Sequence, residues 1–229
     1  MSINCIALGK RICFYRLKFN ITQEKLAALT NCSREYIAYL ESGTKTPSLP
    51  TLIDLANVLH ADPPWRYEQK NRQGSAELHY PTMSIEEICS LPVADLAAKD
   101  SVLFLWATFP QLPEALKVIK AWGFSYRSVA FVWIKRNRRS YSWFYGLGYW
   151  TRGNAEICLL AVKGHPKRKS AGVHQLIVSP IERHSKKPDE ARRKIVELMG
   201  DIPRVELFAR EKKPGWDVWG NEVESTVNL

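Results

Sequence analysis

The chain has 229 residues, 45% of them hydrophobic and 24% charged, so it can bury a sizeable core in one medium or two small domains. Its 33 Lys and Arg against 23 Asp and Glu give a formal net charge of +10, which favours a polyanionic partner. The five cysteines are scattered and form no CxxC pair, which argues against a disulfide framework and a zinc site. Because there is no apolar run of about 20 residues and no signal-peptide pattern, we expect a soluble, cytoplasmic protein without membrane contact.

The first part of the chain, to about residue 57, has the pattern of several short helices. Thr22 predicts the start of one helix and Ser33 the start of the next, because a hydroxyl at that position can accept a backbone N–H of the first turn. Between them, Asn31 suits a tight turn that needs a positive φ, and Gly43 ends the second helix. Pro47 begins a further predicted helix.

This segment, LGKRICFYRLKFNITQEKLAALTNCSREYIAYLESGTKTPSLPTLIDLANVL, resembles the Cro/repressor-like helix-turn-helix family of the XRE type. The resemblance implies that the helix after Ser33 enters a DNA major groove, with four residues near base edges and one near a phosphate. These are Ser33, Arg34, Glu35 and Tyr36 for the bases and Gln23 for the phosphate. Because such modules also serve in dimerisation or protein docking, those alternatives and a homodimer stay open.

From residue 61 onward, apolar runs of strand length appear at 102–106, 129–134, 157–162, 176–178 and 205–208. Helical patterns lie between some of them, at 112–122 before Gly123 and at 188–199 before Gly200. Strands that alternate with helices predict an open α/β sheet with ligand chemistry at the carboxyl ends of the strands. We therefore predict a small all-α domain over residues 1–58 and an α/β domain over residues 59–229.

The most informative motif is the run Asp62, Pro63, Pro64 and Trp65, which follows an apolar segment. Two prolines fix φ twice and remove two backbone donors, so the carbonyls of Asp62 and Pro63 can be held rigidly without competing local hydrogen bonds. A carboxylate and a carbonyl held in this way can accept both N–H groups of an adenine amine and turn its lone pair toward an electrophile. Trp65 then offers a flat face on which a flipped base can stack. The alternative for the motif is a plain rigid turn.

Over residues 61–222 the sequence resembles the DPPW family of N(6)-adenine methyltransferases, which includes the catalytic subunit of the eukaryotic messenger-RNA adenosine methyltransferase and many bacterial and phage enzymes. The shared blocks, in order, are ADPPWRY, LFLWAT, NAEICLLAVKG, HSKKPDE, VELFAR and GWDVWGNE. The resemblance implies a Rossmann-like α/β domain that uses no metal and binds S-adenosylmethionine at the ends of the central strands.

The resemblance also implies the site residues. It places Asp62 at the target amine, with Pro63, Pro64 and Trp65 completing the catalytic loop. It assigns to the cofactor Asp62, Lys187, Arg210, Asn221 and Glu222, and to the substrate Trp65, Tyr67, Glu156 and Lys187. Without the resemblance, Lys187 would be taken for a solvated surface charge. Glu156 would be taken for a strand-end carboxylate paired with a surface cation.

Two basic stretches follow the middle of the second domain. The stretch 135–150, KRNRRSYSWFYGLGYW, alternates cations with aromatic rings and predicts a loop that contacts nucleic acid. A mobile lid packed on the core is the alternative, and the two interpretations are compatible. The run 163–169 is expected to follow backbone phosphates beside it.

The junction before Asp62 departs from the family, because TLIDLANVLH passes straight into ADPPW where family members carry a full strand. One segment cannot be both the last helix of the first domain and the full central strand. We therefore expect that helix to end near Asn57, or the strand to be very short.

The leading hypothesis is an enzyme that transfers a methyl group from S-adenosylmethionine to the N(6) amine of adenine in DNA. The attached helix-turn-helix module favours DNA over RNA, and RNA is the alternative polymer. A second hypothesis is a DNA-binding regulator with an inactive methyltransferase domain, favoured by the compressed junction and opposed by the intact motif 62–65. Methylation of a free nucleotide or a protein is a third.

Overall fold

A computed structural model of the protein describes residues 5–30, 32–45, 56–67, 81–140, 142–146, 148, 150–182, 185–227 and 229. The chain divides into two compact units, Met1–Leu55 and Ala56–Leu229. The predicted turn residue Asn31 and the predicted helix from Pro47 lie outside the described residues.

Three helices form the described part of the first unit: α1 at Cys5–Lys18, α2 at Gln23–Thr30 and α3 at Arg34–Glu41. The two predicted helix starts are confirmed, because the hydroxyl of Thr22 accepts the N–H of Lys25 at 3.1 Å and that of Ser33 accepts the N–H of Tyr36 at 3.1 Å. Gly43, with a φ of 72°, follows the end of α3 as expected. The buried residues of this unit's core are Ala27, Ile37 and Leu40.

Close packing and a buried ion pair hold α1 against α3. A Cβ on Gly9 would lie 2.3 Å from the carbonyl oxygen of Leu40, so only glycine permits the two helices to approach this closely. Arg16 donates from Nε and Nη2 to the two carboxylate oxygens of Glu41, at 2.5 and 3.0 Å. Gln23 Nε2 donates to the same carboxylate at 2.9 Å. These hydrogen bonds, that from Arg16 above all, lower the pKa of Glu41.

The second unit contains a seven-stranded sheet with the order β5-β3-β4-β2-β1-β6-β7. The strands are β1 at Ala56–Ala61, β2 at Ala97–Ala107, β3 at Ser125–Arg136, β4 at Ala155–Lys163, β5 at Leu176–Pro180, β6 at Arg204–Leu207 and β7 at Asp217–Trp219. Only β4 runs antiparallel to its neighbours, and the other pairs are parallel. The predicted α/β fold class is confirmed, and each of the five predicted strands lies in β2 to β6.

Four helices accompany the sheet in the described residues: α4 at Ile85–Ser90, α5 at Val93–Leu96, α6 at Leu112–Ala121 and α7 at Asp189–Met199. Both predicted helices are confirmed as α6 and α7, and Gly123 and Gly200 follow them with positive φ. Among the described residues, no helix has both the length and the apolar character that crossing a membrane requires.

The segment just before Asp62 forms a strand. β1 begins at Ala56 and has six residues, so residues 56–58, which we assigned to the helical domain, lie in the sheet. The strand pairs with β2 on one side and β6 on the other, which places it in the interior of the sheet. The strand therefore has an ordinary length and is not very short, and its last four residues are buried.

Candidate active site

The candidate site lies where β1 and β6 end side by side. Ala61 is the register partner of Leu207, so the residues that follow the two strands emerge at the same edge of the sheet. Asp62 follows β1 at this edge. Phe208 follows β6 with a φ of 60°, a left-handed conformation that turns the chain sharply away from the strand direction.

A cleft of about 550 Å³, open to solvent, lies between the loops after these strands and the loop after β7. Four of the residues that the family resemblance assigned to the cofactor line it together: Asp62, Arg210, Asn221 and Glu222. The other lining residues are Pro63, Pro64, Pro81, Ser185, Phe208 and Ala209. Arg210 Nε lies 3.3 Å from the Glu222 carboxylate, so a cation and an anion face the same cleft.

The turn after β1 is held by backbone hydrogen bonds. The Pro63 carbonyl accepts the N–H of Trp65 at 2.9 Å, and the Pro64 carbonyl accepts the N–H of Met83 at 2.9 Å. The expectation that the Pro63 carbonyl has no competing local hydrogen bond is therefore wrong, because the N–H two residues later reaches it. A carbonyl oxygen has a second lone pair, so it can still accept a donor from a ligand.

Trp65 is only 5% exposed, and its indole N–H donates to the carbonyl oxygen of Trp106 at 3.1 Å. The ring is packed inside the protein in this conformation, so stacking of a base on it would require the residues that cover it to move. Tyr67 lies half-buried beyond it, and its hydroxyl is 2.9 Å from the Thr108 hydroxyl.

A chain of alternating charges runs behind the cleft. Lys187 Nζ lies 2.8 Å from both carboxylate oxygens of Asp62 and 3.3 Å from the Glu156 carboxylate. Lys135 Nζ lies 2.5 Å from the other oxygen of Glu156. The Lys187 side chain is 8% exposed, so it is not a solvated surface charge. The Asp62 side chain remains 26% exposed, which leaves it accessible from the cleft.

The charges of this chain set the protonation states of its members. Burial raises the pKa of Asp62 above its ordinary value, and the Lys187 charge offsets this only in part. Burial also acts to raise the pKa of Glu156, but Lys187 and Lys135 outweigh it and lower that pKa. Burial acts to lower the pKa of Lys187, but the two carboxylates outweigh it and raise that pKa. Lys187 and Glu156 therefore stay charged, and Asp62 accepts a proton most readily.

A second buried polar network begins at His60 on β1, and we did not predict it. Trp106 Nε1 donates to His60 Nε2 at 2.8 Å, so the proton of the neutral imidazole lies on Nδ1. That Nδ1 is 3.5 Å from a carboxylate oxygen of Glu206. Arg192 donates to both oxygens of Glu206, at 2.7 and 2.6 Å. The only sequence signal was one polar residue inside each of two otherwise apolar strand ends.

The five residues predicted to contact DNA lie on the first unit and differ in exposure. Ser33, Arg34 and Glu35 are exposed at the start of α3. Arg34 lies 3.0 Å from the equally exposed Glu24. Tyr36 is half-buried and packs on the core of the unit. The Gln23 amide N–H donates to the Glu41 carboxylate. Their contact with DNA stays a prediction.

Comparisons with known proteins found two matching family models and several related proteins. A family model described as MT-A70 matches residues 56–222, and one described as helix-turn-helix matches residues 14–66. The type II methyltransferase M.MunI of a Mycoplasma species is 32% identical over an alignment of 186 positions, which covers 72% of this chain and 77% of that protein.

Two eukaryotic relatives are similar over most of this chain. The N(6)-adenosine-methyltransferase MT-A70-like protein of Drosophila melanogaster is 32% identical over 76% of it, and the human N(6)-adenosine-methyltransferase catalytic subunit METTL3 is 31% identical over 73% of it. The chain spans only 28% of the length of each of these two proteins. Their similarity is therefore confined to one part of a longer protein.

Proposed function

This chain belongs to the MT-A70 family of methyltransferases, and on that premise we propose that it transfers a methyl group from S-adenosylmethionine to the N(6) amine of adenine in DNA. The observation that carries the proposal is the position of Asp62. Its carboxylate is bound by the buried Lys187 and faces a cleft that Arg210, Asn221 and Glu222 also line.

The residues of the cleft suit S-adenosylmethionine. The Glu222 carboxylate and the Asn221 amide are groups that bond ribose hydroxyls, and Arg210 offers a cation to the carboxylate of the methionine part. When bound, the cofactor supplies an electrophilic methyl group on a sulfonium centre. The placement of S-adenosylmethionine among these residues is part of the proposal.

Asp62 and Pro63 are proposed to orient the adenine amine. The carboxylate accepts one amine N–H and the Pro63 carbonyl, through its second lone pair, accepts the other. The nitrogen lone pair is thereby turned toward the methyl carbon for in-line displacement. The amine nitrogen then carries an extra proton, which leaves to Asp62 or to solvent. The raised pKa of Asp62 suits it to accept that proton.

Lys187 and Glu156 are proposed to position Asp62 and, with it, the acceptor base. Lys187 stays protonated because two carboxylates surround it, so it fixes the Asp62 carboxylate as an ion-pair partner and does not act as a base. Glu156 in turn is held between Lys187 and Lys135. This ordering favours one carboxylate orientation before the substrate binds.

DNA is proposed as the polymer because a helix-turn-helix family model matches residues 14–66 and because the chain carries a net charge of +10. RNA is the second candidate, since two of the relatives are N(6)-adenosine-methyltransferases. A homodimer through the helical unit is a separate expectation, and sedimentation of the purified chain tests it.

The polymer is tested by incubating the protein with methyl-labelled S-adenosylmethionine and oligonucleotides of one sequence, as double-stranded DNA, single-stranded DNA and RNA. We expect transfer to DNA. Transfer to RNA alone would overturn the choice of polymer and leave the methyltransferase assignment intact. Calorimetry that detects no cofactor binding, together with no transfer to any polymer, would instead support a regulator with an inactive domain.

A further inference from the structure

The loop between β3 and β4, residues 137–154, begins and ends at the candidate active site. The backbone N–H of Lys135 donates to the carbonyl of Asn154 at 2.9 Å and closes the base of the loop. From the same two strand ends, Lys135 pairs with Glu156, and the Glu156 carboxylate lies 3.3 Å from Lys187, the ion-pair partner of Asp62. The loop therefore leaves the sheet at the same edge as the carboxylate proposed to hold adenine.

Several contacts brace the described part of this loop. The N–H of Phe144 donates to the Lys135 carbonyl at 3.0 Å, and the N–H of Gly146 donates to the Gly153 carbonyl at 2.7 Å. The Arg136 guanidinium lies 4.7 Å from the centre of the Trp143 ring, within the range of a cation–π contact. These contacts fold the loop back on the strand ends.

Two large aromatic rings are exposed in the described part of this loop. Trp150 is 92% exposed and Tyr145 is 61% exposed. A tryptophan with nearly its whole ring in water forgoes the stabilisation that burial gives, and such residues are typical of binding surfaces.

The charge around these rings identifies the partner. Residues 136–155 contain no Asp or Glu and four cations, which are Arg136, Arg138, Arg139 and Arg152. Phosphates complement this charge, whereas the same loop of a second copy would repel it. The occupant that fits is the backbone of a nucleic acid.

We propose that Trp150 inserts into the DNA duplex beside the target and fills the space that the adenine leaves when it swings out to reach Asp62. This inference rests on the proposed function. The amine of a paired adenine is held in a base pair and stacked, so the base must leave the helix before a cleft can receive it. An inserted planar ring replaces part of the lost stacking, as apolar wedges do in other duplexes.

The test uses the full chain and two DNA duplexes of the same sequence, one fully paired and one with an abasic site opposite the target adenine. Trp150→Ala is expected to lower kcat/KM on the paired duplex by about tenfold, the scale of one lost stacking contact. On the opened duplex the loss is expected to shrink to about twofold, because less stacking and pairing remains to be broken. Trp150→Phe, which keeps a flat ring, is expected to lie between Ala and the wild type on the paired duplex.

Arg138→Ala is the matched control on the same loop. Because it removes a cation, it should lower kcat/KM by a similar factor on both duplexes and make kcat/KM less dependent on salt concentration. An equal loss on both duplexes for Trp150→Ala, or no loss on either, would overturn insertion while the wild-type activity upheld the proposed function. A wild-type chain that methylates neither duplex would overturn insertion, and it would overturn the proposed function as well if single-stranded DNA also stayed unmodified. Thermal unfolding confirms that each variant is folded.

Discussion

Lys187 Nζ lies 2.8 Å from the Asp62 carboxylate, although 125 positions separate the two residues in the chain. The same ammonium group is 3.3 Å from Glu156, so one buried cation pairs with two carboxylates. Removal of such a cation leaves negative charges uncompensated in a poorly solvated place. The ion pair thus links the stability of the second unit to the orientation of its proposed catalytic group.

Lys187→Met is expected to destabilise the protein by about 3 to 5 kcal/mol, the usual cost when one partner of a buried pair is removed. Lys186→Met is the matched control next to it, since Lys186 pairs with the more exposed Glu182 and Asp189. We expect it to change the free energy of unfolding by less than about 1 kcal/mol. Denaturant unfolding of both variants measures the difference, and equal effects would contradict the buried ion pair.

Methyl transfer is expected to lose activity in acid at a higher pH than an ordinary aspartate would give. Asp62 must be ionised to accept the amine N–H, and burial raises its pKa. The profile of kcat/KM against pH should therefore fall, as pH decreases, above the ordinary aspartate pKa of about 3.9. Circular dichroism over the same range separates this loss from unfolding. A rate that stays constant down to that ordinary value would contradict the assignment of Asp62.

Stability should decrease in acid through Glu206. Burial acts to raise the pKa of this carboxyl, but His60 and Arg192 outweigh it and lower the pKa from 4.5 to about 2. A lowered pKa stabilises the fold above pH 4.5, and this contribution of about 3 kcal/mol is lost as pH falls toward 2. Glu206→Gln should flatten that part of the curve of unfolding free energy against pH. Glu224→Gln, in an exposed pair with Lys212, should change the shape of that curve much less.

Cofactor affinity should depend on the loops after β6 and β7. Arg210→Ala and Asn221→Ala each remove a polar group from the cleft, and we expect each to weaken S-adenosylmethionine binding by about tenfold in calorimetry. Arg127→Ala is a suitable control because Arg127 is exposed on β3 and is not among the residues that line the cleft. If Arg210→Ala and Asn221→Ala bound S-adenosylmethionine as tightly as the control Arg127→Ala, the cofactor would have to bind elsewhere.

Much of the second unit could be predicted because its central strands are mostly buried on both faces and therefore appear as apolar runs, as in 102–106. The family resemblance indicated residues that the structure places in one cleft, although they come from three separate loops. The start of β1 was less clear, since TLIDLANVLH is compatible with both a helix and a strand.

Contacts between distant strands were beyond prediction. His60 and Glu206 face each other only because β1 and β6 pair in that register, and no local pattern reveals the register of two parallel strands. The burial of Trp65 has the same origin, because its partner is the backbone of Trp106 on β2. The hydrogen bond to the Pro63 carbonyl was not predicted for a local reason: a tight turn brings the N–H of Trp65 to 2.9 Å from that oxygen.

The most direct test of the central claim compares the wild-type chain with Asp62→Ala, using methyl-labelled S-adenosylmethionine and adenine-containing DNA, with the modified base identified by mass spectrometry. We expect N(6)-methyladenine from the wild type and none from the folded Asp62→Ala variant. Label on another base, or an equal yield of methyladenine from the two proteins, would contradict it.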